Sequence, residues 1–258
     1  MNTVSETDAL IMNTRIAPFD SKDARRAVSF ALDRNEILRR NGSAQFAQPT
    51  CQILPPNFPG YKPYCPYTLV GARAGTWRAA DLATAQKLIA RSHTRGMRVT
   101  VLSPSGDYNQ RTAGYLVQLL DRLGYRASRR HVPYDVLSRS PSFSGSRSHM
   151  QIALTQWFAD YPSAASFIKS SFICHGQTND SGFCDPRLDS EMRQAEALAS
   201  TDPGKADTQW AHIDRELTDA APWIPYSNGK ERDFVSKRVG NFQLHPVWSV
   251  LFDQLWVR

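Results

Sequence analysis

MRVTVLSPSGDYNQRTAGYLVQLLDRLGYRASRRHV, residues 97–132, decides the fold. Met97 to Leu102 alternates in polarity and carries β-branched residues, the pattern of a strand. Ser103 to Asp107 reads as a turn. Tyr108 to Leu123 then sets Ala113, Leu116, Val117 and Leu120 on one face at helical spacing and ends at Gly124. Tyr125 to Val132 is the next strand. Strand, helix and strand within this length form a βαβ unit, so the two strands are parallel and their crossover right-handed. The fold class is α/β.

Working towards the N-terminus, Ala80 to Arg91 predicts a helix with Ala85, Leu88 and Ile89 inward. Ala24, Ala27, Val28, Ala31 and Leu32 fall on one stripe of an earlier helix that Asp20 can cap. Asp33 followed by Glu36 has the spacing of a capping box and opens a short helix, Asn35 to Arg40, that stops near Gly42. Prolines at 55, 56, 59, 63 and 66 make Pro49 to Pro66 an irregular loop.

Working towards the C-terminus, Ser138 to Ser148 is a Ser-rich surface loop, and Met150 to Trp157 an apolar strand. Asp185-Pro186 and Asp202-Pro203 each place a capping Asp before a Pro at the first helical position, where the missing N–H costs nothing. The second helix buries Ala206, Trp210, Ile213 and Leu217, and Pro222 and Pro225 end it. From Tyr226 onward only short strand-like pieces are predicted, around Phe234 and Val235, with an apolar run from Val247 to Val257. Phe242, Trp248, Leu251, Phe252, Leu255 and Trp256 have no second βαβ unit to bury them. Apolar surface of that extent marks an interface, here with half a domain that lies outside the chain.

The net charge is +7, from 31 Lys and Arg against 24 Asp and Glu. The basic pairs Arg25-Arg26, Arg39-Arg40, Arg129-Arg130 and Lys237-Arg238 are scattered and read as solvated surface. No recognition motif accompanies them, so nucleic acid is not an expected partner. No apolar run reaches the ~18 residues of a membrane span. Met1 to Leu10 is not a signal peptide.

Four cysteines allow three disulfide connectivities, and the local one, Cys51–Cys65 with Cys174–Cys184, closes two short loops. Four free buried thiols are the alternative, and the spacing does not suit zinc. Disulfides imply an oxidising compartment, which places the true N-terminus upstream. Catalytic signatures are missing: no nucleophile elbow, no His-Glu-x-x-His, no phosphate-cradling glycine loop. The histidines are dispersed, and His175 beside Cys174 reads as a loop residue. The expectation is a protein that is not an enzyme and carries neither cofactor nor metal.

Three stretches carry a resemblance. LIMNTRIAPFD (10–20) with ARRAVSFALDR (24–34), then TQWFADYP (155–162), then Asp202-Pro203, Trp210 and DAAPWIP (219–225) occur in the order found in the extracellular solute-binding proteins of family 5. These are the peptide-, oligopeptide- and nickel-binding components of ABC importers. Pro49 to Pro66 and Asn179 to Pro186 resemble actinobacterial members with two disulfides. The sequence departs at Ser163-Ala164, where many relatives carry Asp-Pro.

The resemblance implies one lobe of a periplasmic-binding-protein-like (type II) two-lobed fold. Residues 15–225 would be the ligand-binding lobe, residues 1–14 a crossing segment, and 226–258 a return to the missing N-terminal lobe. It implies an extracellular, cell-surface or periplasmic protein that captures a peptide or similar small solute and docks on an ABC permease. A solute-sensing or scaffold domain of a larger fusion is the alternative. Asp160, just past a predicted buried strand, sits at the strand's carboxyl end, where a carboxylate suits a cationic group. In resembling relatives the matching Asp pairs with a peptide's α-amine. Trp157 offers a flat apolar wall, and Tyr226 is the third candidate ligand-binding residue.

Overall fold

The computed structural model describes residues 2–56, 58–69, 75–133, 150–245 and 247–258. The Ser-rich stretch, 138–148, lies outside them.

The chain opens on strands β1 (Asn2–Thr3) and β2 (Glu6–Met12). Helix α1 (Lys22–Ala31) buries Ala24, Ala27, Val28 and Ala31. Its cap is Ser21, which accepts from the Ala24 N–H, and not the expected Asp20. Asp20 is one residue too early, and its carboxylate accepts from the Ser21 N–H instead. Helix α2 (Arg34–Arg40) starts at Asp33, which accepts from the Glu36 N–H at 3.0 Å. Glu36 binds Arg39 and Arg40 rather than reaching back to complete a capping box. Strand β3 (Ala47–Pro49) leads into the irregular loop that the Cys51–Cys65 disulfide closes.

Helix α3 (Leu82–Ser92) precedes the βαβ unit of β4 (Arg98–Pro104), α4 (Asp107–Leu123) and β5 (Arg126–Val132). β4 and β5 pair in parallel, from Arg98 opposite Arg126 to Pro104 opposite Val132. Gly124 ends α4 at φ 96°, a left-handed conformation that costs glycine no Cβ clash. Strand β6 (Ile152–Phe158) is followed by α5 (Ala164–Phe172), a helix missing from the sequence expectation. Helices α6 (Pro186–Leu198) and α7 (Pro203–Ala220) start as expected behind Asp185 and Asp202. The second disulfide joins Cys174 to Cys184 between α5 and α6.

Strand β7 (Trp223–Glu231) is longer than the expected short pieces. Pro225 does not stop it, because the β2–β7 register shifts between Asp8 and Ala9, and a bulge tolerates the missing N–H. The tail holds β8 (Val239–Gly240), β9 (Leu244–His245), β10 (Ser249–Val250) and β11 (Trp256–Val257), paired β9 with β10 and β8 with β11. Phe234 and Val235 belong to no strand, since no neighbouring strand receives them, and Phe234 is 98% exposed. Trp248, Phe252 and Trp256 are exposed too.

The main sheet runs β1-β7-β2-β6-β4-β5, with β3 also on β7. β4, β5 and β6 are parallel, and β2 is antiparallel to both β6 and β7, so β4 to β7 all point one way. Alternation sends Leu10, Met12, Val99, Val101, Leu154 and Ile224 to the face covered by α1, α3 and α4. Ala9, Ile11, Ala153 and Trp223 face α5, α6, α7 and the Ile53–Phe58 loop. Within the stretch expected to be a crossing segment, β2 therefore lies inside the sheet, between β7 and β6.

One basic pair is not solvated as expected. Arg25 is buried, and its guanidinium donates to the carbonyls of Phe19 and Ala220, tying α1 to the end of α7. Arg34 is fully buried as well. It donates to Thr50 O at 2.6 Å, Pro225 O at 3.0 Å and Ser29 O at 3.2 Å, joining α1, the disulfide loop and β7. Burial pushes its guanidinium down to about 9.

Candidate functional site

Because β4 to β7 share one direction, their carboxyl ends gather along a single edge, joined there by the start of β2. In open α/β sheets this edge faces the ligand crevice. Asp160 lies on it, two residues past β6, and is exposed. Its N–H donates to Ser166 Oγ at 2.7 Å, which ties the loop to the first turn of α5. The cap of that helix is Ser163, accepting from the Ala165 N–H, so the Asp160 carboxylate is not the helix cap.

Trp157 is half-buried on the α5 face of the sheet. Its indole N–H donates to Ser166 O at 2.9 Å, and its ring sits 6.4 Å from Trp223. Trp157 and Asp160 are thus held by the same residue, Ser166. Tyr226 is not with them. It is 1% exposed and packs in the core on the opposite face of the sheet.

What lies above Tyr226 is a polar cluster that sequence reasoning missed. Glu6 and Asp8 alternate along β2 with Leu10 and Met12, so they continue a core-facing row to the edge of the sheet. Glu6 Oε1 accepts from Gln156 Nε2 at 2.6 Å. Asp8 Oδ2 accepts from Ser227 Oγ at 2.6 Å and from the Tyr108 hydroxyl, at the start of α4, at 3.3 Å. Burial pushes Glu6 up to about 7, with the charge of Asp8 adding to it and the Gln156 bond opposing. Burial also raises Asp8, against its bonds to Ser227, Tyr108 and Gln156. Tyr108 is raised by burial and then by the Asp8 charge, and Tyr226 lies well above its ordinary value, chiefly through burial. These partners of the two carboxylates are all neutral donors. The signal was in the sequence: acidic residues at 6 and 8, in register with the apolar residues 10 and 12, occupy positions that should be apolar.

The edge therefore offers an exposed carboxylate at Asp160 and an aromatic wall at Trp157 on the α5 side, and a recessed pair of carboxylates, Glu6 and Asp8, on the opposite face of the sheet. It can receive a cationic or hydrogen-bonding polar group. A separate open pocket of about 660 Å³ lies past the other end of β2, among Thr14, Arg15, Asp20, His175 and Phe183, and none of the three expected ligand residues lines it.

Residues 2–179 match the family described as bacterial extracellular solute-binding proteins, family 5. The chain belongs to that family. Among curated relatives of this family 5 protein, the glutathione-binding protein GsiB of Salmonella choleraesuis (strain SC-B67) is 24% identical over 254 residues, covering 94% of this chain and 46% of the relative. The chain thus spans about half the length of the curated relatives it matches. Among solved structures, clavulanic acid biosynthesis oligopeptide binding protein 2 superposes with a TM-score of 0.84 at 19% identity, over 99% of this chain and 47% of the other. The ABC transporter-associated periplasmic binding protein DppA from Helicobacter pylori, solved with the peptide STSA, gives a TM-score of 0.77 at 16% identity, over 98% and 47%. At these identities the solved structures establish the fold, that of about half of a periplasmic-binding-protein-like chain. The relatives are binding proteins, not enzymes.

Proposed function

We propose that this family 5 chain is the ligand-binding lobe of the substrate-binding component of an ABC importer, and that it captures a peptide or similar small solute at the carboxyl edge of its sheet. The observation that carries the reading is the exposed carboxylate of Asp160 on that edge, tied with Trp157 to Ser166. The peptide- and glutathione-binding relatives support a small polar ligand with a free amine. On this reading the solute is enclosed between this lobe, residues 15–225, and a second lobe. Residues 1–14 and 226–258 join the two, and the exposed aromatics of the tail are covered by the second lobe. Closure is a hinge motion in which the bridging ligand favours the closed state. Loaded, the protein delivers its solute to a membrane permease from the cell surface or periplasm.

Asp160 pairs with the ligand's amine, and Trp157 walls the site. Tyr226 acts from below, through its contact with the Tyr108–Asp8 group. In a protein carrying both lobes, Asp160→Asn should weaken binding of a peptide with a free α-amine by about 2 to 5 kcal/mol, because closure buries the ammonium without its partner. The same peptide acetylated at its N-terminus should bind both proteins equally weakly. Equal affinity of parent and variant for the free-amine peptide would assign Asp160 a structural role only.

A further inference from the structure

Strands β4 and β5 have one face under α4; on the other, Leu102 and Val132 pack against the core cluster on the α5 side, while the part from Arg98 and Arg126 to Arg130 stays open among the described residues. Val99 and Val101 turn inward beneath α4. Alternation sends Arg98 and Thr100 of β4, with Arg126, Ser128 and Arg130 of β5, to the other side. There Arg98 faces Arg126 and Thr100 faces Ser128 across the pair, the two hydroxyls 3.4 Å apart. All three arginines are exposed. Parallel strands are ordinarily covered on both faces, so an open, polar face on a parallel pair calls for an occupant. Arg129, at the alternate position, reaches back across α4 towards Gly114 and is not part of the face.

We propose that Arg98, Arg126 and Arg130, around Thr100 and Ser128, form a docking surface for the anionic phospholipid headgroups of a membrane. Charge supports this. Residues 95–133 hold seven arginines against two aspartates, so most of the chain's excess of +7 is gathered in the βαβ unit although its basic residues are scattered along the sequence. The chemistry of the face separates the possible partners. Protein interfaces are anchored by aromatic and apolar residues at their centre; here the apolar residues of the face, Leu102 and Val132, are half-buried against that core cluster, and its exposed part offers guanidinium forks and hydroxyls. Guanidinium forks match phosphate oxygens. The family is extracellular and the chain is cross-linked by two disulfides, and outside a cell the phosphate-bearing surface at hand is the membrane, not nucleic acid. Electrostatic attachment of this kind holds a binding protein near the bilayer without an apolar anchor.

The test is co-sedimentation of the 258-residue chain with vesicles of pure phosphatidylcholine and of phosphatidylcholine with 30% phosphatidylglycerol. The readout is the ratio of the two affinities, because the exposed aromatics of the tail would bind both kinds alike. The chain should prefer the anionic vesicles, and the preference should fall as salt rises. Each basic residue near an anionic surface contributes roughly fivefold, so Arg98→Gln with Arg126→Gln and Arg130→Gln should cut the ratio about 100-fold. A charge-matched control, Lys87→Gln with Arg193→Gln and Lys237→Gln, should change it far less. Four results would overturn the proposal: no preference for anionic vesicles, an equal loss in the control, vesicle binding abolished by a soluble DNA duplex that the chain prefers, or a triple variant that self-associates more than the parent chain yet keeps its lipid preference. The last would mean that the arginines only guard an open sheet edge.

Discussion

Replacing Glu6 with Gln tests whether β2 carries a recessed carboxylate pair. Glu6 Oε1 accepts from Gln156 and keeps that partner as the neutral amide. In the folded chain its pKa stands at about 7 against 4.5 in the ordinary state. A carboxyl whose folded pKa is raised binds more proton folded than unfolded, so its contribution to stability is full below 4.5 and is lost as pH climbs to about 7. At 1.36 kcal/mol per unit the full shift corresponds to about 3.4 kcal/mol. Glu6 is only partly buried, and solvent screening brings the expected loss to about 2 kcal/mol. Urea unfolding of parent and Glu6→Gln at pH 4.5, 6 and 8 should therefore give two stabilities that are close at pH 4.5 and separate by about 2 kcal/mol at pH 8, the variant being the more stable. A constant difference across that range would mean that the Glu6 carboxyl is solvated and that the cluster does not exist as described.

Arg34→Ala should destabilise the chain by about 3 kcal/mol or more, because it empties a fully buried volume and strips donors from the carbonyls of Thr50, Pro225 and Ser29; a loss under 1 kcal/mol in chemical denaturation would remove Arg34 from its joining role. Non-reducing peptide mapping should recover Cys51 linked to Cys65 and Cys174 linked to Cys184, and opening either bridge by paired Cys→Ala substitution should cost about 3 kcal/mol, as for a loop of this length. A crossed pairing between the two loops would contradict the structure.

The βαβ unit was legible because its periodicities are strong and local: Ala113, Leu116 and Leu120 are buried under the same face of the sheet that their spacing defined. The capping aspartates at 33, 185 and 202 were legible for the same reason. Helix α5 was missed although Ala164, Phe167, Ile168, Ser171 and Phe172 repeat at helical spacing, since the preceding Tyr-Pro-Ser reads as a turn and the helix after it is short. Strand β7 was hidden by Pro225, whose tolerance depends on a bulge that only its pairing with β2 creates. The site divides the same way. The positions of Asp160 just past β6 and of Trp157 near its end were legible from the strand pattern, whereas the burial of Tyr226 depends on which side of β7 it occupies beyond the bulge. Glu6 and Asp8 become a pair with Tyr108 and Ser227 only through contacts spanning 100 and 219 residues, which no local pattern reports.

On the proposed function, the carboxyl edge of this sheet is one wall of a solute site whose other wall is a second lobe. Calorimetric titration of short peptides with free amines tests it directly, against the 258-residue chain and against a protein that carries the second lobe as well. Binding should be strong in the two-lobed protein and weak or undetectable in the 258-residue chain, which should also self-associate through its exposed tail aromatics. A 258-residue chain that stays monomeric and binds the same peptides as tightly as the two-lobed protein would contradict the account.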